Sequence, residues 1–176
     1  MTRIWVSADH HFGHYNILRF MDNDGELIRG KVFKDIQEHN EMLVYWHNEL
    51  VKPEDHVYFL GDFSINQGGL QYATRMNGHK RLVRGNHDIF KTKKYLEVGI
   101  DEIYGCRVFQ NHDPPCILSH IPIHPDSLRK HKDKQWVNIH GHLHTGYVRL
   151  PNGHPDERYR CVSLEHTNYR PVLLME

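Results

Sequence analysis

The chain has 176 residues, with 22 Lys and Arg against 22 Asp and Glu and a formal net charge of zero. That balance offers no basic field to attract nucleic acid non-specifically, and the length suits a single domain, 1–176, around one core. No apolar run approaches the ~18 residues of a membrane helix. Three scattered cysteines, Cys106, Cys116 and Cys161, with no signal-peptide pattern, point to reduced thiols in a cytoplasmic protein that does not engage a membrane.

The residues Arg3–Ala8 read as a strand, being β-branched and aromatic and ending in a polar turn. Asp35 to Val51 reads as a helix. Asp35 with Glu38 three residues on resembles a capping box, Ile36, Leu43, Trp46 and Leu50 recur at helical spacing, and Pro53 lies just beyond. His56–Leu60 is a second strand. A short helix over 69–76 follows, stopped by Asn77-Gly78. Arg81–Val83 is a third strand, and a helix from Ile89 to Val98 ends at Gly99. Strand and helix alternate three times, which predicts parallel pairing. Beyond residue 100 short apolar runs dominate: 105–110, 116–119, 136–140, 147–150, 160–164 and 171–175. Pro, Gly, Asn and Asp turns separate them, predicting a mostly antiparallel second sheet. The expected class is α/β, two mixed sheets flanked by helices. Lys91, Lys93 and Lys94 form a short basic run that reads as a solvated face.

Histidine is the anomaly, with 17 in the chain, and it is the commonest metal ligand. Many sit where strands end. The first strand ends at Asp9 and His11, the second at Gly61-Asp62, and the third in Gly85-Asn86-His87-Asp88. Later runs end at His120 and in Gly141-His142-Leu143-His144. Ligands gather outside the carboxyl ends of strands in α/β folds. Gly61, Gly85 and Gly141 each precede a proposed ligand, where the missing side chain permits close backbone approach. His142 and His144 alternate by two, so an extended segment would turn both to one face. Taken singly each has an ordinary reading as a turn or loop residue; their coincidence points to a metal.

This ordered set, Asp9-x-His11, Gly61-Asp62, Gly85-Asn86-His87-Asp88, His120 and Gly141-His142-x-His144, resembles the motifs of the calcineurin-like metallophosphoesterases over about residues 4–169. The opening DHHFGHYN resembles a compact group of small bacterial and phage phosphoesterases. The resemblance implies a four-layer α/β/β/α sandwich and a site for two divalent metal ions. In it Asp9, His11 and His144 hold one metal, Asn86, His120 and His142 the other, and Asp62 bridges. Oxygen and imidazole ligands fit Mn, Fe, Zn, Co or Ni better than Ca or Mg, with Mn the first expectation. His87 is implied as the general acid, with Asp88 orienting it or raising its pKa. Arg84 is a candidate for steadying phosphoryl charge. His14 and Asn16 are candidates for substrate contact, and His140 for orienting a ligand histidine.

The expected activity is hydrolysis of a phosphodiester or phosphomonoester, on a small or nucleotide-like substrate. A metal-dependent nuclease and a non-catalytic protein-binding scaffold on the same fold are the alternatives. The protein phosphatases of the resembled family carry a further Asp and Arg after Gly-Asp. Here the segment is GDFSIN, which speaks against a phosphoprotein substrate.

Overall fold

The structure, a computed structural model, describes residues 2–22, 24–128, 130 and 133–174. Its first sheet contains β1 (Ile4–Ser7), β2 (His56–Phe59), β3 (His79–Val83), β4 (Ile100–Tyr104) and β9 (Val172–Leu173), in the order β4-β3-β2-β1-β9. The first four run parallel, and β9 lies antiparallel on β1. The second sheet has the order β5-β6-β7-β8, from β5 (Arg107–Phe109), β6 (Cys116–Leu118), β7 (Val137–His140) and β8 (Tyr159–Cys161). Among the described residues the α-helices are α1 (Ile36–Leu50), α2 (Gln67–Leu70) and α3 (Thr92–Glu97).

Strand alternation sorts the core into two layers. Trp5, Val57, Phe59 and Leu82 meet Leu43 and Val44 of α1, Leu70 of α2 and Tyr95 of α3 in one buried cluster. Their neighbours Val6, Tyr58, Leu60 and Val83 join Cys116, Leu118 and Ile139 of the second sheet in the other. The first sheet is therefore covered on both faces, and its central strands β1 and β2 are buried at all but their first residue. At the start of α1 the Asp35 carboxylate accepts the Glu38 N–H at 2.8 Å, as its spacing predicts. The Glu38 carboxylate returns to the N–H of Lys34 rather than of Asp35. Such a cap contributes about 1 kcal/mol.

Several expectations need correction. The second sheet is mostly parallel: β6–β7 and β7–β8 are parallel pairs and only β5–β6 is antiparallel. The connections after β6 and β7 are long enough to carry the chain back to the starting end, as parallel pairing requires. The run 147–150 forms no strand among the described residues; it folds back on residues 153–156 through the bridge Arg149 to Pro155 and neighbouring backbone bonds. The run 171–175 belongs to the first sheet as β9, with residue 175 outside the described residues. β4, which completes the first sheet, was not expected; its exposed Asp101 and Glu102 interrupt the apolar signal. The second helix is shorter and earlier: Asn66 caps it by accepting the Gly69 N–H at 2.7 Å, and it passes into a 3-10 turn over Gln71–Arg75. The third helix begins at Thr92, because residues 85–88 turn around the Asp88 carboxylate.

Candidate metal centre

The parallel strands β1, β2, β3, β6 and β7 deliver the proposed ligands. Asp9 and His11 follow β1, Asp62 follows β2, Asn86 and His87 follow β3, His120 follows β6, and His142 and His144 follow β7. Five of these residues have left-handed backbone: Asp9 (φ 60°), His11 (51°), Asp62 (53°), His142 (71°) and His144 (50°). Each costs about 1–2 kcal/mol for a residue with a Cβ, and such strain concentrates at functional sites. The turn it makes folds each ligand back over its strand end.

The glycines allow the loops to close. A Cβ on Gly61 would collide with the His120 ring, and one on Gly85 with the Asp62 carboxylate and backbone. At Gly141 it would stand 2.6 Å from Asp9 Oδ2. These contacts fit the close approach expected of three glycines that precede ligands.

Two groups of side chains converge within metal-binding reach: Asp9, His11 and His144, and Asp9, Asp62 and His120, with ligand atoms within 4.8 Å of one another in each. Asp62 stands between them, Oδ2 at 3.8 Å from His11 Nε2 and Oδ1 at 3.4 Å from His120 Nε2. Asn86 Oδ1 lies 2.9 Å from His120 Nε2, and His142 Nδ1 lies 3.2 Å from the same atom. All seven expected ligands are thus brought together, and Asp9 reaches the second group as well as the first.

The hydrogen bonding of Asp9 is lopsided. Oδ2 accepts the His142 N–H at 2.9 Å and the Ser163 hydroxyl at 2.7 Å, while buried Oδ1 has no partner among the described residues. His11 Nε2 is buried and unpartnered too. Burial pushes the Asp9 carboxyl up and His11 well down. Burial, then the neighbouring His120, lowers His142. Burial opposes the charged forms of His120 and His144, but bonds to Asp62 and Glu165 respectively outweigh it and raise both.

A buried support stands behind this cluster. Glu165 accepts from His144 Nδ1 at 2.9 Å, which leaves Nε2 as the nitrogen available to a metal. Arg29, fully buried, donates from Nε to the same carboxylate oxygen at 2.8 Å. Its Nη atoms donate to the carbonyls of Asp9 and His10, and Nη1 lies 3.0 Å from His39 Nε2. One guanidinium therefore holds both the strained Asp9 turn and the carboxylate that orients His144, the arrangement by which a neighbouring carboxylate fixes a metal-binding imidazole. Sequence reading missed Arg29, Glu165 and Ser163. They lie outside the strand-end motifs, and nothing in the letters around them marks a partner more than 100 positions away.

The remaining candidates divide. His87 donates its backbone N–H to Asp62 Oδ1 at 2.9 Å, and its half-exposed ring packs against those of His11 and His14. Asp88 does not orient it: its carboxylate accepts the N–H groups of Asp62, Phe63 and Gly85, clamping two ligand loops together. Burial pushes that carboxyl up to about 6. Arg84 lies over the Tyr95 ring and reaches the Thr92 hydroxyl, with no contact to the ligands among the described residues. His14 Nδ1 is 3.4 Å from His11 Nδ1, at the edge of the cluster. Asn16 is exposed in a 3-10 turn. His140 is buried against Tyr159 with Nδ1 donating to the Gly141 carbonyl, so it orients no ligand ring.

These features define a two-sheet α/β protein whose strand ends carry a carboxylate–histidine cluster. The uncharacterized protein MJ1445 of Methanocaldococcus jannaschii is 30% identical over 179 residues, covering 99% of this chain and 88% of that protein. The chain belongs to the same family as MJ1445. The Gene 66 protein of Mycobacterium phage D29 is 25% identical over 190 residues, covering 88% of this chain and 85% of its own length. Among solved structures, a protein of unknown function from Aquifex aeolicus, AQ665, superposes with a TM-score of 0.70 at 26% identity, covering 98% of this chain and 96% of the other. No family model matches the sequence.

Proposed function

We propose that the chain is a metal-dependent phosphoesterase of the calcineurin-like type its motifs resemble, acting on a phosphodiester or phosphomonoester. The observation that carries this reading is the pair of orphaned buried atoms, Asp9 Oδ1 and His11 Nε2, at the meeting of two carboxylate–imidazole groups. Buried polar atoms normally have partners. Two unpartnered ligand atoms held there by strained backbone are what a cation site needs. In this reading the two sheets are the centre of a four-layer α/β/β/α sandwich, with α1, α2 and α3 forming one outer layer.

Asp9, His11 and His144 would hold one divalent ion, and Asn86, His120 and His142 the other, with Asp62 shared. The donor set suits Mn, Fe, Zn, Co or Ni, and Mn is the first to try. Two such ions, when bound, neutralise phosphate oxygens and acidify a water toward neutral pKa. The rest falls to the chain. His87, accessible beside Asp62, protonates the leaving oxygen from its ring. His14 borders the same opening and contacts substrate. Asp88 holds the loops of Asp62 and His87 in register. Three free cysteines accord with a reducing, cytoplasmic setting.

The test is turnover of bis-p-nitrophenyl phosphate by metal-stripped and Mn-reloaded protein. Only the reloaded protein should turn over, and His87→Ala should retain Mn while losing about 10²–10⁴ in rate. Absence of turnover with Mn bound would sink the reading. Full activity in the variant would remove the acid.

A further inference from the structure

Beside His144 opens a groove of about 550 Å³, within the ~300–1,000 Å³ range of small-molecule sites. Its walls include Arg19, Phe20, Met21, Ile28 and Leu143, together with His144 itself. Phe20 and Met21 are large apolar residues left 41% and 62% exposed. His144 lines the groove and also belongs to the ligand cluster, and the Phe20 ring meets that of His14 edge to face at 5.7 Å, so the groove borders the candidate metal centre. The Arg19 side chain has no hydrogen bond or ion pair among the described residues.

The wall is built rather than adventitious. Residues 20–22 and 26–28 pair as two short arms: Ile28 N–H donates to the Phe20 carbonyl, Asp22 N–H to that of Glu26, and Met21 bridges Leu27. The second arm leads directly into Arg29, whose guanidinium grips Asp9 and Glu165. The groove wall and the ligand His144 are thus anchored to one buried residue.

We propose that this groove seats the nucleoside of a nucleotide phosphoester, the base lying against Phe20 and Met21 while the phosphate reaches the ligand cluster. The proposal rests on the phosphoesterase reading and narrows its substrate class. An aromatic ring, a thioether and two aliphatic side chains suit the π-face of a base. A sugar phosphate alone would leave them idle. Asp22 on the same wall is occupied by the N–H groups of Asp24 and Glu26, whereas the Arg19 guanidinium is left to meet a phosphate oxygen.

The experiment compares two ligands that cannot be hydrolysed, the 5′-methylenephosphonate analogue of AMP and methylphosphonate, titrated calorimetrically into Mn-loaded protein. The nucleoside should tighten binding about tenfold or more, in keeping with one base stacked on an aromatic side chain. Phe20→Ala should erase that preference, and Phe20→Trp should retain it. Phe20 is partly exposed, so both variants should fold. Equal binding of the two ligands, or a preference that survives Phe20→Ala, overturns the proposal. Turnover of bis-p-nitrophenyl phosphate without a nucleoside preference removes the groove assignment alone. A Phe20-dependent preference without any turnover removes the phosphoesterase reading and leaves the groove.

Discussion

Asp55 and Asp9 are both buried carboxylates on the first sheet, at opposite ends of its strands. Asp55, just before β2, accepts the N–H groups of Arg3 and Lys52 and the Trp5 indole N–H. Burial works to raise its pKa, but these bonds outweigh it and hold the carboxyl low. Asp9, just after β1, has one oxygen doubly bonded and the other bare, and burial raises it. The same functional group is a finished structural clamp at one end and, at the other, a carboxylate left half satisfied among the described residues, as the proposed metal site requires. An end of a sheet whose polar groups are all satisfied serves the fold; an end with buried donors and acceptors left over serves a ligand.

The comparison breaks most readily by substitution. Asp55→Ala strands three donors and should cost about 3–5 kcal/mol in urea unfolding, with Mn affinity unchanged. Asp9→Asn should leave metal-free protein no less stable than wild type, because it removes a poorly satisfied buried charge. Equal losses in the two variants would erase the distinction.

Histidines sharpen it. His47, which makes no hydrogen bond to a proposed ligand, donates Nε2–H to the Asn77 carbonyl, and its buried Nδ1 has no partner among the described residues. Burial lowers its pKa to about 4 from an ordinary 6.5. Between those values the unfolded chain takes up a proton that the folded chain refuses. Stability is therefore held above pH 6.5 and falls as pH drops toward 4, by about 3 kcal/mol from this one group. His47→Gln should lose correspondingly less between pH 7 and 4. Parallel curves for the two proteins would show that His47 is not buried neutral.

Metal should complete the unfinished end. At 100 times its dissociation constant, Mn should stabilise wild type by about 2.7 kcal/mol and Asp9→Asn by much less, read as the shift in unfolding midpoint. The smallest effect is at the support: Glu165→Gln should weaken Mn binding by about 10–100-fold, measured by calorimetry, with the fold intact by circular dichroism. Unaltered Mn affinity would reduce Glu165 to a packing residue.

Much of the site was legible because its residues lie at strand ends punctuated by glycine, a local pattern. Asp9, His11, Asp62, His120, His142 and His144 were each readable beside the apolar run that carries them. The second sheet, which carries His120, His142 and His144, differs from the expectation at β6, β7 and β8, where turn-rich connections imitate hairpins. The difference matters: in a mostly antiparallel sheet neighbouring strands would send His120 and the His142–His144 pair to opposite ends. Parallel pairing brings them together. Arg84 and Asp88 show the converse, since their neighbours in sequence suggested chemistry that their contacts assign elsewhere.

By itself the sequence determined the alternation of strands and helices in its first half, the cap at Asp35 and the positions where the proposed ligands leave the strands. These depend on residues a few places apart, whose propensities and spacing act locally. Tertiary structure alone decided that β6 and β7 run parallel, that Asp88 clamps loops, and that Arg29 ties Asp9 to Glu165 and His144. Those outcomes depend on burial and on partners distant in the chain, and burial is what turns an ordinary carboxylate or imidazole into a committed one.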